Sequence, residues 1–343
     1  MPFKATPSNA GGRIALLSTP LHRFAVVAAA ATLVLVFVGG LVTSTGSAMA
    51  VPDWPLAFGR LIPRHWSAGV PFEYGHRVVA GTVTILTLVL ALWTWLVEPR
   101  DWVRYTAFAA FGLVVVQAVL GGLTVLFDLP FAFAVAHAAT GQAFFCVMVA
   151  MGLFTNPSWE SMPTDARLPA GRARLWPLAA AAAALIYFQI IVGALMRHMH
   201  AGLAIPDFPL AFGRLVPPMF SIPIGVNFAH RCGAIIVTLM VIWTAARAIR
   251  THGSEPALRR LAIGLLGLLA IQIGLGAAAV LSRRAVIPTT AHVAVGAAML
   301  ATCVTLMLRA IHLESAPRAS KALRDASAPI RRAGAIAPRQ VNA

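Results

Sequence analysis

The sequence predicts an all-α polytopic membrane protein, with eight transmembrane helices arranged as two parallel-repeat four-helix bundles. Of its 343 residues, 59% are hydrophobic and 11% are charged, and the mean hydropathy is +0.80. Apolar runs of about 20 residues recur along the chain, and each could cross the roughly 30 Å hydrocarbon layer of a bilayer. A twelve-residue motif also occurs twice, which predicts that one half of the chain duplicates the other.

The predicted spans are joined by short turns and by two long loops. They cover about residues 23–43, 76–97, 105–126, 132–154, 176–197, 229–249, 261–281 and 289–310. The long loops, 44–75 and 198–228, are rich in Pro and Gly, which argues against continuous helix. We therefore predict a cytoplasmic N-terminal segment (1–22), a first four-helix half (23–154), a cytoplasmic linker (155–175), a second four-helix half (176–310) and a disordered basic tail (311–343).

The net charge of +16 is explained by membrane topology rather than by nucleic-acid binding. Of the 27 Lys and Arg residues, 19 lie at the N-terminus, the tail and the connections that share their side, and 8 lie on the side of the long loops. The positive-inside rule then places both termini in the cytoplasm. We expect a multi-pass protein of the bacterial cytoplasmic membrane that contacts lipid and no nucleic acid. A mitochondrial transit peptide is the alternative interpretation of the basic N-terminus.

The repeated motif sets the correspondence between the halves. It reads PDWPLAFGRLIP at 52–63 and PDFPLAFGRLVP at 206–217, with ten of twelve positions identical and an offset of 154. The same offset carries His76 onto His230, and one extra residue carries His137 onto His292. Because each half holds four spans, an even number, the repeats are predicted to be parallel.

These four histidines are the candidate metal ligands. Each lies near the long-loop side of an even-numbered span, so each half presents two imidazoles at similar depth. Two histidines on neighbouring helices can clamp a heme iron from both sides. A zinc site is the rival interpretation, but it needs three or four ligands at one place.

Other polar residues extend this hypothesis. Arg77 and Arg231 each follow a histidine, and a guanidinium at this depth suits a heme propionate. Gln117, Gln189 and Gln272 each precede a glycine by four residues, and those glycines permit close helix approach.

The halves differ at one position that bears on chemistry. Glu73 lies three residues before His76, on the same helix face, whereas Asn227 occupies the matching position before His230. A carboxylate near a porphyrin edge could move protons during an oxidation. The sequence thus suggests a reactive first half and an electron-storing second half. The alternative is a helix N-terminal charge favoured by the macrodipole.

The chain resembles the heme A synthases. The resemblance rests on Gly39-Gly40-Leu41-Val42-Thr43-Ser44-Thr45-Gly46-Ser47, Pro52-Asp53-Trp54-Pro55 and Glu73-Tyr74-Gly75-His76-Arg77, together with the duplicated halves and the four histidines, over about residues 25–310. It implies oxidation of a methyl group of heme O to a formyl group, by successive hydroxylations, to give heme A for cytochrome oxidase.

The resemblance also implies residue roles. His230 and His292 would ligate a heme b cofactor in the second half, His76 and His137 would ligate the substrate heme in the first, and Glu73 matches the family's essential glutamate. Heme O is the implied substrate, and heme O synthase and cytochrome oxidase assembly factors are candidate partners. The electron donor is not implied.

Two features depart from the family pattern. Many bacterial members have a cysteine pair in the first long loop, and residues 44–75 contain no cysteine. The second-half loop is unusually similar to the first, which leaves open which half binds substrate. The alternative functions are a di-heme b-type electron carrier or quinol oxidoreductase that does not modify heme, and a transporter with parallel repeats. Heme O synthase is disfavoured because the chain lacks an Asp-rich diphosphate-binding cluster.

Overall fold

Eight long helices make up the computed structural model, which describes residues 8–159, 174–253 and 255–315. They are α1 (Ser8–Ser44), α2 (Val70–Val97), α3 (Asp101–Leu126), α4 (Phe131–Phe154), α5 (Trp176–His198), α6 (Ile222–His252), α7 (Pro256–Leu281) and α8 (Val286–Ser315). A short 3-10 helix spans Ala201–Leu203. Within the described residues there is no β-strand, and all eight helices are long and apolar enough to cross a bilayer. The predicted fold class of an all-α, multi-pass membrane protein is confirmed.

Two helices begin earlier than the hydropathy pattern predicts. Helices α2 and α6 start at Val70 and Ile222, whereas the predicted spans start at 76 and 229. Both have a proline within their first two positions, where the missing N–H is not needed and the fixed φ angle suits a helix. Prolines that indicated loop in the sequence therefore lie inside the first helical turn. As a consequence, Glu73 and Asn227 are helical residues.

The predicted outer boundaries are also displaced. Helix α1 runs through the boundary predicted at 22/23, and α8 continues to Ser315, past the predicted start of the tail at 311. In its last turn, Glu314 accepts a hydrogen bond of 2.7 Å from Leu175 N and lies 3.4 Å from His252, which fixes that turn. The predicted segments at 1–7, most of the linker (160–173) and the tail at 316–343 lie outside the described residues.

The helices pack as two groups of four. Helices α1–α4 enclose an apolar core that includes Leu90, Phe144 and Met148, and α5–α8 enclose cores around Leu265 and Leu306. The groups meet through α1, α4, α5 and α8. Phe145 of α4 packs with Ala297 and Ala301 of α8 at this junction. A parallel relation of the two groups about the membrane normal stays a prediction.

The long loops lie at one end of the bundle, which we call the loop end. It comprises segments 45–69 and 199–221 and the short turns at 127–130 and 282–285. Trp54 of the first loop contacts α3 at Gly122, and Arg284 of the last turn lies along Gly202. All four candidate ligand histidines lie in the helical turns nearest this end.

Candidate functional site

Each candidate histidine rests against a glycine of the preceding helix. A Cβ atom added to Gly39 would lie 3.1 Å from Cε1 of His76, which is too close for an undisturbed contact. The same relation holds for Gly121 with His137, Gly193 with His230 and Gly276 with His292, at 3.0, 3.1 and 3.1 Å. The glycines therefore make the space in which each imidazole is held. This gives the glycines of the Gln-x3-Gly pattern a role beyond general helix packing.

Two of the imidazoles are oriented by backbone carbonyls. Nδ1 of His137 lies 3.1 Å from the carbonyl oxygen of Gln117, and Nδ1 of His292 lies 3.2 Å from that of Gln272. A carbonyl oxygen only accepts, so Nδ1 must hold the proton in this hydrogen bond. Nε2 then holds the ring lone pair, which is the tautomer that ligates a metal through Nε2. At His292 this nitrogen also faces the side-chain nitrogen of Gln272 at 3.4 Å. Gln117 also donates from its side chain to the carbonyl of His137 over 2.8 Å.

The other two imidazoles differ between the halves. Nδ1 of His230 lies 3.0 Å from Nε2 of Gln189, which also donates to the His230 carbonyl over 2.7 Å. Nδ1 of His76 is buried and has no hydrogen-bond partner. Leu35 occupies the position in α1 that matches Gln189, and it packs in the apolar core. The second half thus has a polar partner for this imidazole that the first half lacks.

The spacing of the second-half pair fits one metal atom between two rings. The ring centroids of His230 and His292 are 6.5 Å apart, with the planes at 66°. An imidazole nitrogen about 2 Å from a metal, with its ring centre about 1 Å further, gives roughly 6 Å between the centroids of two opposed rings. Within 8–159, 174–253 and 255–315, no three His, Cys, Asp or Glu residues form a group that could hold a metal ion. Paired imidazoles without a third protein ligand suit a heme iron better than zinc.

Glu73 is held in a closed set of contacts at the start of α2. It is 4% exposed, and its Oε1 accepts from Arg77 over 2.7 Å in an ion pair. Its Oε2 accepts from the backbone N–H of Val51 over 2.8 Å. The carboxyl group therefore links the first loop to the helix that bears His76.

Asn227 makes the corresponding link in the second half, as a neutral amide that donates to the loop rather than a carboxyl group that accepts from it. Its side-chain nitrogen donates to the carbonyls of Ala201 and Gly202, at 2.9 and 3.2 Å. Its oxygen accepts from Nε of Arg231 over 3.0 Å. The same structural task is thus performed by an acceptor carboxyl group in one half and by a neutral amide in the other.

The duplicated motif forms a tight loop in both halves. Both carboxylate oxygens of Asp53 accept backbone N–H groups, from Phe58 and Gly59 at 2.7 Å each, and these two residues have φ angles of +54° and +71°. The bond from Gly59, with that from Phe58, lowers the pKa of Asp53 below its ordinary value. Asp207 binds the matching amides in the second half. The acceptor carboxylate and the positive φ angles explain why the aspartate stands at the same spacing from the phenylalanine and glycine in both copies of the motif.

Arg77 and Arg231 hold these loops on their helices. Arg77 donates to the carbonyls of Val51, Asp53 and Leu56 over 2.6 to 2.8 Å. Arg231 donates to those of Ile205, Asp207 and Leu210 over 2.8 to 2.9 Å. Contact with a propionate would need other N–H groups or an exchange of these bonds, so the predicted propionate role stays a prediction.

The first loop reaches the histidine pair through Trp54. A Cβ on Gly122 would lie 2.6 Å from the indole ring, so the ring lies directly on the helix beside Gly121, which backs His137. The second half has Phe208 and Ala277 at the matching positions. The first half therefore combines the larger ring with glycine, and the second half combines the smaller ring with alanine. This correlated size difference was available in the sequence but was missed there.

Arg197 was also missed. It lies in the last turn of α5 and donates to Thr43 Oγ1 of α1, with contacts of 3.4 Å to Gly40 O and Ser44 Oγ. Its sequence signal is an arginine inside a predicted span where the first half has Thr43.

The chain is similar to known proteins over most of its length. Residues 22–304 match the COX15-CtaA family, described as cytochrome oxidase assembly protein. A heme A synthase of Symbiobacterium thermophilum is 33% identical over 72% of this chain and 81% of its own length. Those of Shouchella clausii and Geobacillus kaustophilus are 31% and 28% identical, over 65% and 84% of this chain and 76% and 92% of their own lengths. The extent of these matches shows that the chain belongs to the COX15-CtaA family of cytochrome oxidase assembly proteins.

Proposed function

We propose that this chain is a heme A synthase, which oxidises a methyl group of heme O to a formyl group to give heme A for cytochrome oxidase. The change from methyl to formyl is a four-electron oxidation of one carbon, reached by successive hydroxylations. Family membership and the relatives named above support this activity. The observation that carries it is the presence of two glycine-backed histidine pairs, with the carboxyl group of Glu73 three residues before His76 and the amide of Asn227 three residues before His230.

We assign the substrate to the first half and a resident heme b to the second. His76 and His137 would hold heme O, and His230 and His292 would hold heme b. The bound iron porphyrins supply the redox chemistry. The chain contributes the imidazoles that hold each iron, the glycines that set their positions, and the loops that cover the loop end.

Glu73 is the proposed acid/base or charge-stabilising group. It is buried at the start of the helix that bears His76, and water has little access to it. Both of its oxygens already accept hydrogen bonds, from Arg77 and from Val51 N. To take a proton from the substrate, Glu73 would exchange one of these bonds. To stabilise developing positive charge, it would need no rearrangement.

The cellular setting is proposed with the function. The eight helices make a multi-pass membrane protein, and we place it in the bacterial cytoplasmic membrane with both termini in the cytoplasm, from the distribution of Lys and Arg. The loop end, and with it both histidine pairs, would then face outward. Heme O synthase and cytochrome oxidase assembly factors are the proposed partners.

Extraction of the hemes from membranes would test the function directly. The chain is expressed in a host that makes heme O but not heme A, and the extracted hemes are identified by mass. We expect heme A, or its hydroxymethyl precursor, only when the chain is present. Glu73→Gln should abolish the aldehyde while the protein retains its bound heme. Asn227→Asp, the matched change in the second half, should leave the aldehyde detectable.

A contrary result would identify the alternative function. Bound heme b with heme O unchanged, in the presence of oxygen and reductant, would indicate a di-heme electron carrier. Product formation by Glu73→Gln at the parent rate would contradict the role of Glu73 alone. A colourless purified protein would remove both heme functions and favour a transporter.

A further inference from the structure

The loop end of the second half has a concentration of positive charge that the first half lacks. Arg197, Arg283 and Arg284 occupy positions that correspond to Thr43, Asp128 and Leu129. The turn residues at 128–129 and 283–284 all have positive φ angles, between 53° and 69°, which supports this correspondence. The backbone is therefore preserved while three neutral or acidic residues are replaced by three arginines.

Arg197 is a half-buried cation without an acidic partner among the residues that the structure describes. Its described contacts are Gly40 O, Thr43 Oγ1 and Ser44 Oγ, all uncharged. A charge within a transmembrane helix is expensive and is normally paired or functional. The three uncharged oxygens solvate the guanidinium only in part, which leaves a preference for an anion.

Arg284 lies beside this cation at the end of the last turn. A Cβ on Gly202 would lie 3.5 Å from its Cδ and 3.7 Å from its Nε, so its side chain runs along the 3-10 helix. No hydrogen bond or ion pair joins the guanidinium of Arg284 to another described residue. Gly202 follows Arg197 by five residues, so both arginine side chains belong to the same part of the loop end. Two half-buried like charges without a carboxylate indicate that the balancing anion comes from a ligand.

The position of this charge pair matches the second histidine pair. Arg197 is four residues beyond Gly193, which backs His230, and so it lies about 6 Å nearer the loop end. Gly40, whose carbonyl accepts from Arg197, also faces Thr290, two residues before His292. Thr290 is fully buried, and its hydroxyl group has no hydrogen-bond partner. Val135 occupies the matching position in the first half, so this unpaired hydroxyl is also specific to the second.

We propose that Arg197 and Arg284, with the hydroxyl group of Thr290, bind the propionate carboxylates of the heme held by His230 and His292. This inference rests on the proposed function for the identity of the ligand. It assigns the propionates to residues found in one half only, whereas Arg77 and Arg231 hold the loops in both halves. A heme in the second half is then anchored by two imidazoles and two cations, and a heme in the first half lacks the cationic anchors. This difference gives the second half the resident heme and the first half the heme that exchanges.

The test compares two porphyrins that differ only in the propionate charge. The full chain, with His76→Ala and His137→Ala to remove the first site, is produced in a heme-deficient host and placed in lipid nanodiscs. Iron protoporphyrin and its dimethyl ester are titrated by absorbance. We expect the parent to prefer the free acid by roughly tenfold or more, since charge-assisted hydrogen bonds are lost with the ester.

Single variants then locate the carboxylate site. Arg197→Gln or Arg284→Gln should lose most of this preference while binding of the diester is unchanged, and Arg284→Lys should keep part of it. Arg283→Gln, an exposed neighbour of the same charge, is the matched control and should behave as the parent. The midpoint potential of the bound heme should fall in Arg284→Gln, because loss of a nearby cation favours the ferric state.

The outcomes separate this inference from the function on which it rests. A parent that binds neither porphyrin would contradict the proposed heme function. A parent that binds acid and ester equally, or variants that keep the full preference, would overturn the propionate site alone. Diester binding requires an intact histidine pair, so a variant that no longer binds the diester is misfolded. If Arg197→Gln is misfolded, the test of the propionate site rests on Arg284→Gln.

Discussion

The two halves of the membrane domain hold their histidines in the same way but surround them differently. In both halves each imidazole rests on a glycine of the preceding helix, and the arginine that follows His76 or His230 holds the long loop. The differences in charge and hydrogen bonding include Glu73 and Asn227, Leu35 and Gln189, Thr43 and Arg197, Val135 and Thr290, and Asp128-Leu129 and Arg283-Arg284. The first half gains a carboxyl group, and the second gains hydrogen-bond donors and positive charge. Under the proposed assignment, one scaffold keeps one heme and processes another.

The largest effects are expected from removing a ligand in one half at a time. His230→Ala or His292→Ala should lose the resident heme, and with it all heme A, because the iron loses a protein ligand on one side. His76→Ala or His137→Ala should retain the resident heme and lose only the product. The heme content of the purified protein and the hemes extracted from membranes are measured together. Equal loss of bound heme from both pairs of variants would contradict the division of roles.

A smaller effect is expected where the first loop meets α3. Gly122→Ala places a methyl group about where the Trp54 ring lies, since a Cβ there would be 2.6 Å from the ring. Overpacking of this kind typically costs about 1–3 kcal/mol. The double variant Gly122→Ala with Trp54→Phe reproduces the size pairing of Phe208 and Ala277 and should recover much of the loss. Thermal stability in detergent measures each variant.

The single change Trp54→Phe is the control for this cycle. It removes ring area without adding a methyl group, so it isolates the loss of contact. If Gly122→Ala is equally destabilising with either ring, the two sites are independent and the correlated pairing has no energetic basis.

The sequence was sufficient for the features that depend on composition and periodicity. The number of spans follows from apolar runs of membrane length, and the equivalence of the four histidines follows from the duplicated motif. It was insufficient where a contact joins distant segments. Arg77 donates to carbonyls more than twenty residues away, and nothing local to the motif distinguishes that role from propionate binding. The early start of α2 was missed for another reason, because Pro71 is compatible with both a loop and a first helical turn.

The last comparison of the halves concerns the hydrogen-bond partners of His76 in α2 and of His230 in α6. Ligation of iron through Nε2 of His230 leaves the proton on Nδ1, and the Gln189 side chain can present its oxygen to that proton if it gives up its 2.7 Å bond to the His230 carbonyl. Accepting this hydrogen bond would make the imidazole a stronger ligand. His76 has no such partner, because Leu35 stands in place of the glutamine. We therefore expect the first-half heme to be released more easily.

Exchanging Leu35 and Gln189 should exchange the ease of heme release between the halves. Gln189→Leu should weaken retention of the second-half heme by roughly tenfold to a hundredfold, the usual range for loss of a partner of a metal ligand. It should also raise the midpoint potential, because a less basic imidazole stabilises ferric iron less. Leu35→Gln should slow heme loss from the first half. Transfer of heme to apomyoglobin measures both rates, and Gln189→Glu, which restores an acceptor, should recover retention. If Gln189→Leu releases heme at the parent rate with an unchanged potential, Gln189 serves only to pack α5 against α6 and does not set heme retention in the second half.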